Sequence, residues 1–336
     1  MTGQVASVFV SIVNFRTGQL TVQCLASLAA DVSCLGSGRV IVVDNCSEDD
    51  STTQISAAIQ GNGWGAWAEL LPMPRNGGFA YGNNAAIARA RQLDPGLGAV
   101  VLLNPDAVVR AGVLARLMDQ LNSQPRAGIA GAAIEGPGGE LVVSAHVMPS
   151  PLGEFEASAG FAPLTRLLSR HVVSPPPSTV SRECDWVSGA CMVIRREVLD
   201  AVGPFDEGFF LYFEEVDFCR RARRAGWSCW LAADARVMHL EGAATGIKAA
   251  RRRLPAYWFA SRRRFFIKSY GALGLLAADV LHCLGRGSLV LRRVLHLGGR
   301  RNVGQEPPKA TRDLIVSDVR ALWRGEWRLS HERHIS

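Results

Sequence analysis

The chain has 336 residues, of which 48% are hydrophobic and 20% are charged, and this composition excludes an intrinsically disordered protein. The net charge of +7 is uneven: residues 248–301 hold thirteen Lys and Arg against one acid, Asp279, while the remaining 24 basic and 29 acidic residues leave −5. The basic character therefore belongs to one surface or tail of the protein.

The eight cysteines are scattered and form no CxxC pair, which indicates neither a disulfide framework nor a zinc site and favours a reducing cytoplasm. Residues 5–13 are too few for a signal peptide and lack a basic segment before them, so they are interpreted as a first strand. No window approaches the roughly 20 apolar residues that a membrane-spanning helix needs. The length favours one large α/β domain with an appendage, or two modest domains.

The first 135 residues alternate between predicted strands and predicted helices. The strands are nearly continuous in their apolarity, which is typical of strands buried on both faces of a parallel sheet. The predicted strands are residues 5–13, 39–43, 67–71, 99–103 and 128–134. The predicted helices are residues 17–28, 51–60 and 112–121, with another that begins in the loop at 75–84 and runs to about Gln92. This alternation implies a doubly wound sheet.

The second part of the chain begins with a segment rich in Pro, Gly and Ser. Residues 136–184 therefore predict a long irregular insert, of the kind that often forms a lid or an acceptor site. After it, the predicted elements are a strand at 185–195, a helix at 196–202, a charged helix at 214–225 and extended segments at 227–232 and 236–239. Beyond Gly246, arginine clusters alternate with aromatic and leucine-rich runs, which predicts basic helices.

Three candidate donor-binding features follow predicted strands, where ligands bind in open α/β sheets. Asp44 could accept the N3–H of a uracil or thymine ring, or only cap a turn. The Gly- and Asn-rich loop at 75–84, with the cation Arg75, favours a diphosphate at a helix N-terminus, although such loops are often only turns. Asp106 could share a hard divalent cation with a diphosphate, or have a structural role alone.

Acidic residues crowd the start of the charged helix, directly after an aromatic run. Glu214, Glu215 and Asp217 complement the helix dipole. Paired carboxylates beside apolar rings can also raise the pKa of one of them, which suits a general base. His239, after the last extended segment, becomes a ligand candidate only where a metal is already indicated.

The order of these features resembles the family 2 glycosyltransferases, in particular the rhamnosyltransferase-like branch of bacterial cell-surface polysaccharide synthesis. The resemblance covers residues 5–245 and is most specific in the longest matching stretch. The matching stretches are VDNCSEDDS (43–51), RNGGFAYGNN (75–84), VLLNPDAVV (101–109), DWVSGACMVIRREVLDAVGPFDEGFFLYFEEVDFCRRARRAGW (185–227) and DARVMHLEG (234–242).

The resemblance implies a GT-A fold: an α/β protein with a single Rossmann-like, mostly parallel sheet flanked by helices, here followed by a basic helical C-terminal extension. It also implies a donor site that uses Mg²⁺ or Mn²⁺. By the same resemblance Asp44 binds the base, Asp106 and His239 hold the metal, and Glu215 or its neighbour Glu214 is the catalytic base. Donor contacts are expected from Asn14, Asp44, Arg75, Gly78, Asn83, Asn104 and Asp106, and acceptor contacts from Trp186, Ser188, Gly189 and Asp217.

Two positions depart from the family pattern. Asn104 occupies the first acidic position of the DxD metal motif, so metal binding rests more on Asp106 and His239. Glu215 stands where Asp is commoner, which leaves the choice between Glu214 and Glu215 open.

The expected organisation is a catalytic domain followed by a basic, membrane-associating extension at 247–336. The catalytic domain at 1–246 divides into a nucleotide-binding half at 1–135, the insert at 136–184, and an acceptor and catalytic half at 185–246.

The expected function is an inverting glycosyltransferase. It moves a sugar from a nucleoside-diphosphate donor, dTDP-L-rhamnose as the first choice, to a saccharide or lipid-linked saccharide in cell-surface polysaccharide synthesis. A UDP-sugar donor and a non-catalytic nucleotide-sugar-binding protein are the alternatives.

The expected place of work is the cytoplasmic face of the bacterial plasma membrane. Nucleic acid is not an expected partner, because the basic segment is too leucine-rich for a simple DNA arm and no nucleic-acid motif is present. Its arginines and aromatic residues fit an anionic membrane surface better; the alternative is a basic helical hairpin packed on the catalytic domain. The sequence leaves a homo-oligomer open.

Overall fold

The computed structural model describes residues 7–240, 253–296, 307 and 309–325. Some predictions fall outside these residues. They are the first two positions of the strand at 5–13, and Arg251, Arg252, Arg300 and Arg301 of the basic segment.

The chain forms two compact units, and each takes residues from more than one part of the sequence. The first unit comprises residues 1–146, 175–210 and 214–246, and the second comprises residues 147–174, 211–213 and 247–336. The predicted insert is therefore shared, because its middle portion belongs to the same unit as the C-terminal helices.

The first unit contains a nine-stranded sheet and a separate, small two-stranded sheet. The strands are β1 (Val8–Asn14), β2 (Val40–Asp44), β3 (Ala68–Pro72), β4 (Ala99–Leu103), β5 (Ala107–Val109), β6 (Ala127–Glu135), β7 (Ala145–His146), β8 (Arg182–Cys184), β9 (Trp186–Val187), β10 (Cys191–Arg195) and β11 (Ser228–His239). The large sheet has the order β3-β2-β1-β4-β10-β6-β11-β5, with β8 also on β11, and β7 pairs β9 in the small one.

Most strands of the large sheet run in one direction. The pairs β2–β3, β1–β2 and β1–β4 are parallel. Strand β10 is antiparallel to both β4 and β6, so β6 runs in the direction of β4, and β11 is parallel to β6. Six strands thus end at the same edge, which confirms the predicted mostly parallel sheet and gathers their carboxyl ends there.

The helices of the first unit cover both faces of this sheet. The helices of the whole described chain are α1 (Gly18–Leu28), α2 (Ser51–Gly61), α3 (Gly78–Leu93), α4 (Val113–Asn122), α5 (Pro151–Ala159), α6 (Ala162–Leu167), α7 (Arg196–Val202), α8 (Glu214–Arg224), α9 (Ala256–Val294) and α10 (Ala310–Trp323). Side chains alternate across a strand, and accordingly Val10 and Ile12 of β1 join one hydrophobic cluster while Phe9 joins another. Every residue of β1 is buried, which explains its continuous apolar sequence.

Three details of the first unit differ from the predictions. The strand predicted at 185–195 is two strands, because the chain turns at residues 188–190 between β9 and β10. The two extended segments predicted after Trp227 are one strand, β11, with an irregularity between Ala232 and Arg236. The short strands β5, β7 and β8 were not predicted, because two or three residues are too few to show a period.

The second unit contains helices where the sequence predicts an irregular insert. Helix α5 carries ordinary helix signals that the Pro- and Gly-rich composition hides. Ser150 caps the helix by accepting a hydrogen bond from the backbone N–H of Gly153. Pro151 lies in the first turn of the helix, and Gly160, with a φ of +55°, follows its last residue.

The long helix α9 changes direction at Gly271, whose φ of 73° and ψ of −179° are not helical. Arg262 and Asp279 lie 17 positions apart, which would separate them by about 25 Å along a straight helix. Instead, Arg262 Nη1 lies 2.8 Å from Asp279 Oδ1. Helix α9 is therefore a hairpin with a first arm at 256–270 and a second arm at 272–294.

By length and composition alone, α9 is long and apolar enough to cross a membrane, which corrects the expectation that no window of the sequence qualifies. The turn at Gly271 divides this length between the two arms.

A buried arginine joins the helices of the second unit. Arg262 is 1% exposed, and it forms ion pairs with Glu154 of α5, Asp279 of the second arm and Asp318 of α10. Its guanidinium also lies over the ring of Phe266, 4.8 Å from the centroid. Because an unpaired buried charge is strongly destabilising, these acids fix the mutual packing of α5, α9 and α10.

Candidate active site

The predicted site residues collect at the carboxyl edge of the large sheet. Asn14, Asp44 and His239 are the last residues of β1, β2 and β11, and Asn104 directly follows β4. Strand β10 runs the opposite way, so the turn that precedes it reaches the same edge. The topology thus brings together residues that are more than 200 positions apart in sequence.

A buried polar cluster surrounds Asp44, which is 2% exposed. Asn14 Nδ2 donates to Asp44 Oδ1 at 2.6 Å, and the backbone N–H of Ser47 donates to Asp44 Oδ2 at 3.0 Å. The Ser47 hydroxyl also donates to Asp44 Oδ1. The carboxylate is therefore held in a fixed orientation, and it combines the capping role with the position expected of a base-binding group.

The loop at 75–84 opens α3 earlier than predicted, because the helix already begins at Gly78. Gly78 has φ +88, and a Cβ there would lie 2.0 Å from the carbonyl oxygen of Phe210. That carbonyl accepts a hydrogen bond from the N–H of Phe79 at 2.9 Å. Arg75 is exposed next to the loop, with its guanidinium 4.3 Å from the ring centroid of Tyr81.

The contact between Gly78 and Phe210 leads to a stability prediction. The variant Gly78→Ala should lower the free energy of unfolding by about 1–3 kcal/mol or more, since the new methyl group meets a backbone atom and the residue must keep a positive φ. Urea unfolding would measure this change. The matched control is Gly61→Ala at the end of α2, where a Cβ meets nothing within 4 Å; equal losses in both variants would contradict the prediction.

Asp106 and His239, both predicted metal ligands, are in direct contact. His239 Nε2 lies 2.9 Å from Asp106 Oδ1 and 3.2 Å from Asn104 Nδ2. The side chain of Asp106 is 2% exposed and that of His239 is 14% exposed. A backbone hydrogen bond from Leu240 N–H to the Asp106 carbonyl, at 3.1 Å, fixes the two segments to each other.

A divalent cation fits these side chains as a partial ligand set. One carboxylate and one imidazole within 3 Å of each other can share an ion, and Mg²⁺ usually takes one or two protein carboxylates together with phosphate oxygens and water. Mn²⁺ accepts the same oxygen ligands and imidazole. Among the described residues no group of three or more His, Cys, Asp and Glu could hold a metal alone, so the remaining ligands would have to come from the donor diphosphate and water.

The acidic pair lies at the first turn of α8. Glu214 is 3% exposed, and neither Glu214 Oε2 nor Glu215 Oε2 has a hydrogen-bond partner within the part of the chain that the structure describes. Burial raises the pKa of Glu215 to about 7. Burial, and then the charge of Glu215, raise the pKa of Glu214 well above its ordinary value. Burial therefore favours the neutral form of Glu214, and Glu215 can exchange a proton near neutral pH.

The turn before β10 connects the acidic pair to the metal-ligand candidates. A Cβ on Gly189 would lie 3.8 Å from the Cβ of Glu215 and 3.5 Å from the ring of Phe79. The next residue, Ala190, accepts a hydrogen bond from the N–H of Asn104 at 2.9 Å. Glu215, Gly189 and Asn104 thus lie in one connected region of the fold.

Two predicted site residues also make hydrogen bonds within the fold, and their roles toward donor and acceptor stay predictions. Asn83 is fully buried; its Oδ1 accepts from the Ser11 hydroxyl at 2.7 Å and its Nδ2 donates to the Phe79 carbonyl at 2.9 Å. Asp217 is 2% exposed, and its Oδ2 accepts from Arg221 Nε at 2.9 Å, one turn further along α8.

The predicted acceptor residues Trp186 and Ser188 lie on β9 and just after it. The Trp186 ring stacks on the ring of His146 with centroids 4.0 Å apart, and the N–H of Ser188 donates to the Ser144 carbonyl at 2.9 Å. The prediction did not include His146, Ser47 or Phe210. Ser47 follows Asp44 closely enough to suggest a cap, whereas His146 and Phe210 have no local pattern that would single them out.

Comparison with known proteins gives a family and a fold. Residues 6–265 match the family model described as glycosyltransferase like family 2. The chain is 32% identical over 218 residues to the N-acetylglucosaminyl-diphospho-decaprenol L-rhamnosyltransferase of Mycobacterium tuberculosis, which covers 62% of this chain and 68% of that protein. The resemblance inferred from the sequence is thereby confirmed.

Two solved structures share the fold at 15% sequence identity. The mannosyltransferase PcManGT of Pyrobaculum calidifontis, in complex with GDP-Man and Mn²⁺, matches with a TM-score of 0.56 over 95% of this chain and 88% of that one. GalNAc-T7 with UDP, GalNAc and Mn²⁺ matches with a TM-score of 0.53 over 71% of this chain and 45% of that one. The predicted GT-A fold is confirmed.

Proposed function

The chain belongs to glycosyltransferase family 2 and is a hexosyltransferase, and from this premise we propose that it inverts the anomeric centre, with Glu215 as the catalytic base. The observation that carries the proposal is the carboxylate of Glu215. This carboxylate lies beside Gly189 in the turn before β10. One of its oxygens is buried without a hydrogen-bond partner among the described residues, and its pKa is raised to about 7. A base with a pKa near the working pH is the most effective.

The proposed reaction is a direct displacement. Glu215 accepts the proton of the acceptor hydroxyl, the hydroxyl oxygen forms a bond to the anomeric carbon, and the bond from that carbon to the diphosphate breaks. The attacking oxygen arrives opposite the leaving group, so the anomeric configuration inverts and no covalent sugar–enzyme intermediate forms. A divalent cation, when bound, offsets the negative charge that develops on the diphosphate.

Other side chains of the site would bind the cation, the diphosphate and the acceptor. Asp106 and His239 would hold the cation, while Arg75 and the first turn of α3 favour the diphosphate electrostatically. The neutral form of Glu214, which burial favours, adds no second negative charge beside Glu215 and can donate a hydrogen bond. Trp186 and His146 form a stacked aromatic pair on which an acceptor ring could pack.

For the substrates, we propose dTDP-L-rhamnose as donor and a lipid-linked saccharide as acceptor. The relative from Mycobacterium tuberculosis supports both choices, because its name specifies an L-rhamnosyltransferase and an N-acetylglucosaminyl-diphospho lipid. A UDP-sugar is the second candidate donor. The acidic pair argues against a non-catalytic sugar-nucleotide sensor, since a sensor has no use for a carboxylate with a raised pKa.

We also propose that the second unit associates with the cytoplasmic face of the plasma membrane. The helix hairpin α9 supports this, because it exposes a stripe of apolar side chains at helical spacing next to basic residues. The exposed residues of this stripe are Leu273, Leu276, Val280, Leu284, Leu291 and Val294.

The test of the function is a transfer assay with the full chain. The purified protein would be incubated with N-acetylglucosaminyl-diphospho-polyprenol, Mg²⁺ or Mn²⁺, and either dTDP-L-rhamnose or a panel of UDP- and GDP-sugars. We expect the lipid product to gain one rhamnose with inverted configuration, as read by mass spectrometry and NMR. A product with retained configuration, or hydrolysis without transfer, would refute the proposed mechanism.

The cluster around Asp44 predicts a binding effect that is separate from catalysis. The variant Asp44→Ala should weaken the binding of free dTDP or UDP while kcat at saturating donor changes little, because Asp44 touches the base and not the reacting atoms. Calorimetric titration of the nucleotide measures this, with melting temperature as the check on folding. Unchanged nucleotide affinity in a folded variant would return Asp44 to a purely capping role.

A further inference from the structure

A cleft of about 660 Å³ lies between the first arm of α9 and α10, wholly within the second unit. Its charged lining is almost entirely basic, with Asp313 as the one acid among the lining residues. The basic lining residues are Arg253, Arg263, Arg312, Arg320 and Arg324.

The acidic residues near the cleft neutralise only part of this positive charge. Arg253 forms an ion pair with Asp313 at 2.5 Å, and Arg263 forms one with Asp318 at 2.6 Å. Arg312 and Arg320 are exposed and form no ion pair within the described part of the chain, although Arg253 and, more weakly, the charge of Arg312 lower the pKa of Asp313. A positive charge therefore remains at the mouth of the cleft.

The arrangement of this charge along α10 is unfavourable for an isolated helix. Arg312, Arg320 and Arg324 share one face, and Arg320 and Arg324 are four residues apart, where like charges destabilise a helix. An anion bound in the cleft would remove this repulsion, since guanidinium groups bind phosphate oxygens through paired hydrogen bonds.

The cleft also has apolar side chains in its lining, which a site for a free inorganic anion does not need. Tyr257, Phe259 and Val316 contribute to its lining. Directly beside the arginine face, α10 carries a stripe of large apolar side chains that are 40–87% exposed. These are Ile315, Val319, Leu322 and Trp323, at spacings of four, three and one residues.

From this juxtaposition we propose that the cleft binds the phosphodiester head group of an anionic membrane phospholipid, with the acyl chains lying along the apolar stripe of α10. Exposed arginines next to exposed leucine, isoleucine and tryptophan match the two chemically different ends of such a lipid. The inference deepens the proposed membrane association by naming its binding site, and it does not depend on which sugar is transferred.

The experiment is a calorimetric titration of the full chain with dihexanoyl phosphatidylglycerol, kept below its micelle concentration. Dihexanoyl phosphatidylcholine and inorganic pyrophosphate serve as comparison ligands. We expect saturable binding of one phosphatidylglycerol per chain and much weaker binding of the other two. The double variant Arg312→Gln/Arg320→Gln should weaken phosphatidylglycerol binding about 30-fold, since each basic residue near an anionic lipid is worth about 1 kcal/mol.

The matched control is Arg126→Gln/Arg224→Gln, which removes two exposed arginines of the first unit outside the cleft and should leave the affinity unchanged. A second variant, Trp323→Ala, should weaken binding without a change of charge. Pyrophosphate that binds as tightly as the lipid, an equal loss in the control, or an absence of saturable binding would each overturn the proposal. Because the readout is lipid binding, a failure here leaves the result of the transfer assay unaffected.

Discussion

Glu215→Gln should lower kcat about 10²–10⁴-fold, which is the typical contribution of a general base, while donor affinity stays close to that of the unmodified protein. The glutamine has almost the same shape as the glutamate but cannot accept the proton of the acceptor hydroxyl. Steady-state kinetics with varied donor, together with calorimetric binding of the donor, would separate the two effects. A loss that appeared only in KM would contradict the assignment.

The pH dependence gives an independent view of the same group. A base acts when it is ionised, so kcat/KM of the unmodified protein should rise with pH and level off above about 7, where the Glu215 carboxyl loses its proton. This rise should disappear in Glu215→Gln.

The same ionisation affects stability in the opposite sense. Because the folded-state pKa of Glu215 lies above its ordinary value, the free energy of unfolding falls as the pH rises through about 4.5 to 7.

Glu214→Gln is the matched control for this prediction. Burial, and then the charge of Glu215, raise the pKa of Glu214 well above its ordinary value, which favours the neutral carboxyl that a glutamine resembles. Its effect on kcat should be small. A large loss in Glu214→Gln with a small one in Glu215→Gln would reverse the two roles and leave the inverting mechanism in place.

Asp106→Ala should remove the stimulation of turnover by divalent cations, with a loss of at least about 10²-fold at saturating Mg²⁺ or Mn²⁺, because metal stabilisation of a leaving group is worth several kcal/mol. The variant removes the carboxylate 2.9 Å from His239 Nε2. Turnover would be measured against metal concentration after treatment with a chelator, and Mn²⁺ binding in the presence of donor by electron paramagnetic resonance.

Two further variants isolate the cause of that loss. Asp106→Asn keeps the shape and a hydrogen bond to His239 but loses the negative charge, so it should also lose most of the metal response. Asp200→Asn changes an acid of α7 that pairs with Arg91 and should leave the response intact. Full activity of Asp106→Ala in the presence of the chelator would remove the metal assignment.

The sequence predicts the parallel part of the fold and its site edge well, because single residues there carry strong signals. Continuous apolar runs mark β1, β2 and β4, since each is buried on both faces. Asp44 is the last residue of β2, Asp106 comes three residues after the end of β4, and His239 is the last residue of β11. Parallel strands then place them together without any further information.

The sequence predicts less where a residue's role depends on distant partners. Asn83 and Asp217 are ligand groups by the family pattern alone, and the sequence does not show that Ser11 and Arg221 also hydrogen-bond their side chains inside the fold. The sequence offers the helical hairpin of α9 only as an alternative, because one glycine in a helical pattern does not show whether the chain bends. The contact of Arg262 with Asp279 makes the bend visible.

The place of β10 between β4 and β6 has a consequence for biosynthesis. Strand β6 has two neighbours in the large sheet, β10 and β11, and both come later in the chain. While a ribosome adds residues at about 5–20 per second, β6 must wait several seconds with both edges unpaired. A nascent chain that ends soon after Glu135 therefore exposes an apolar strand that can pair with other molecules, and this interval is when we expect the protein to depend most on chaperones.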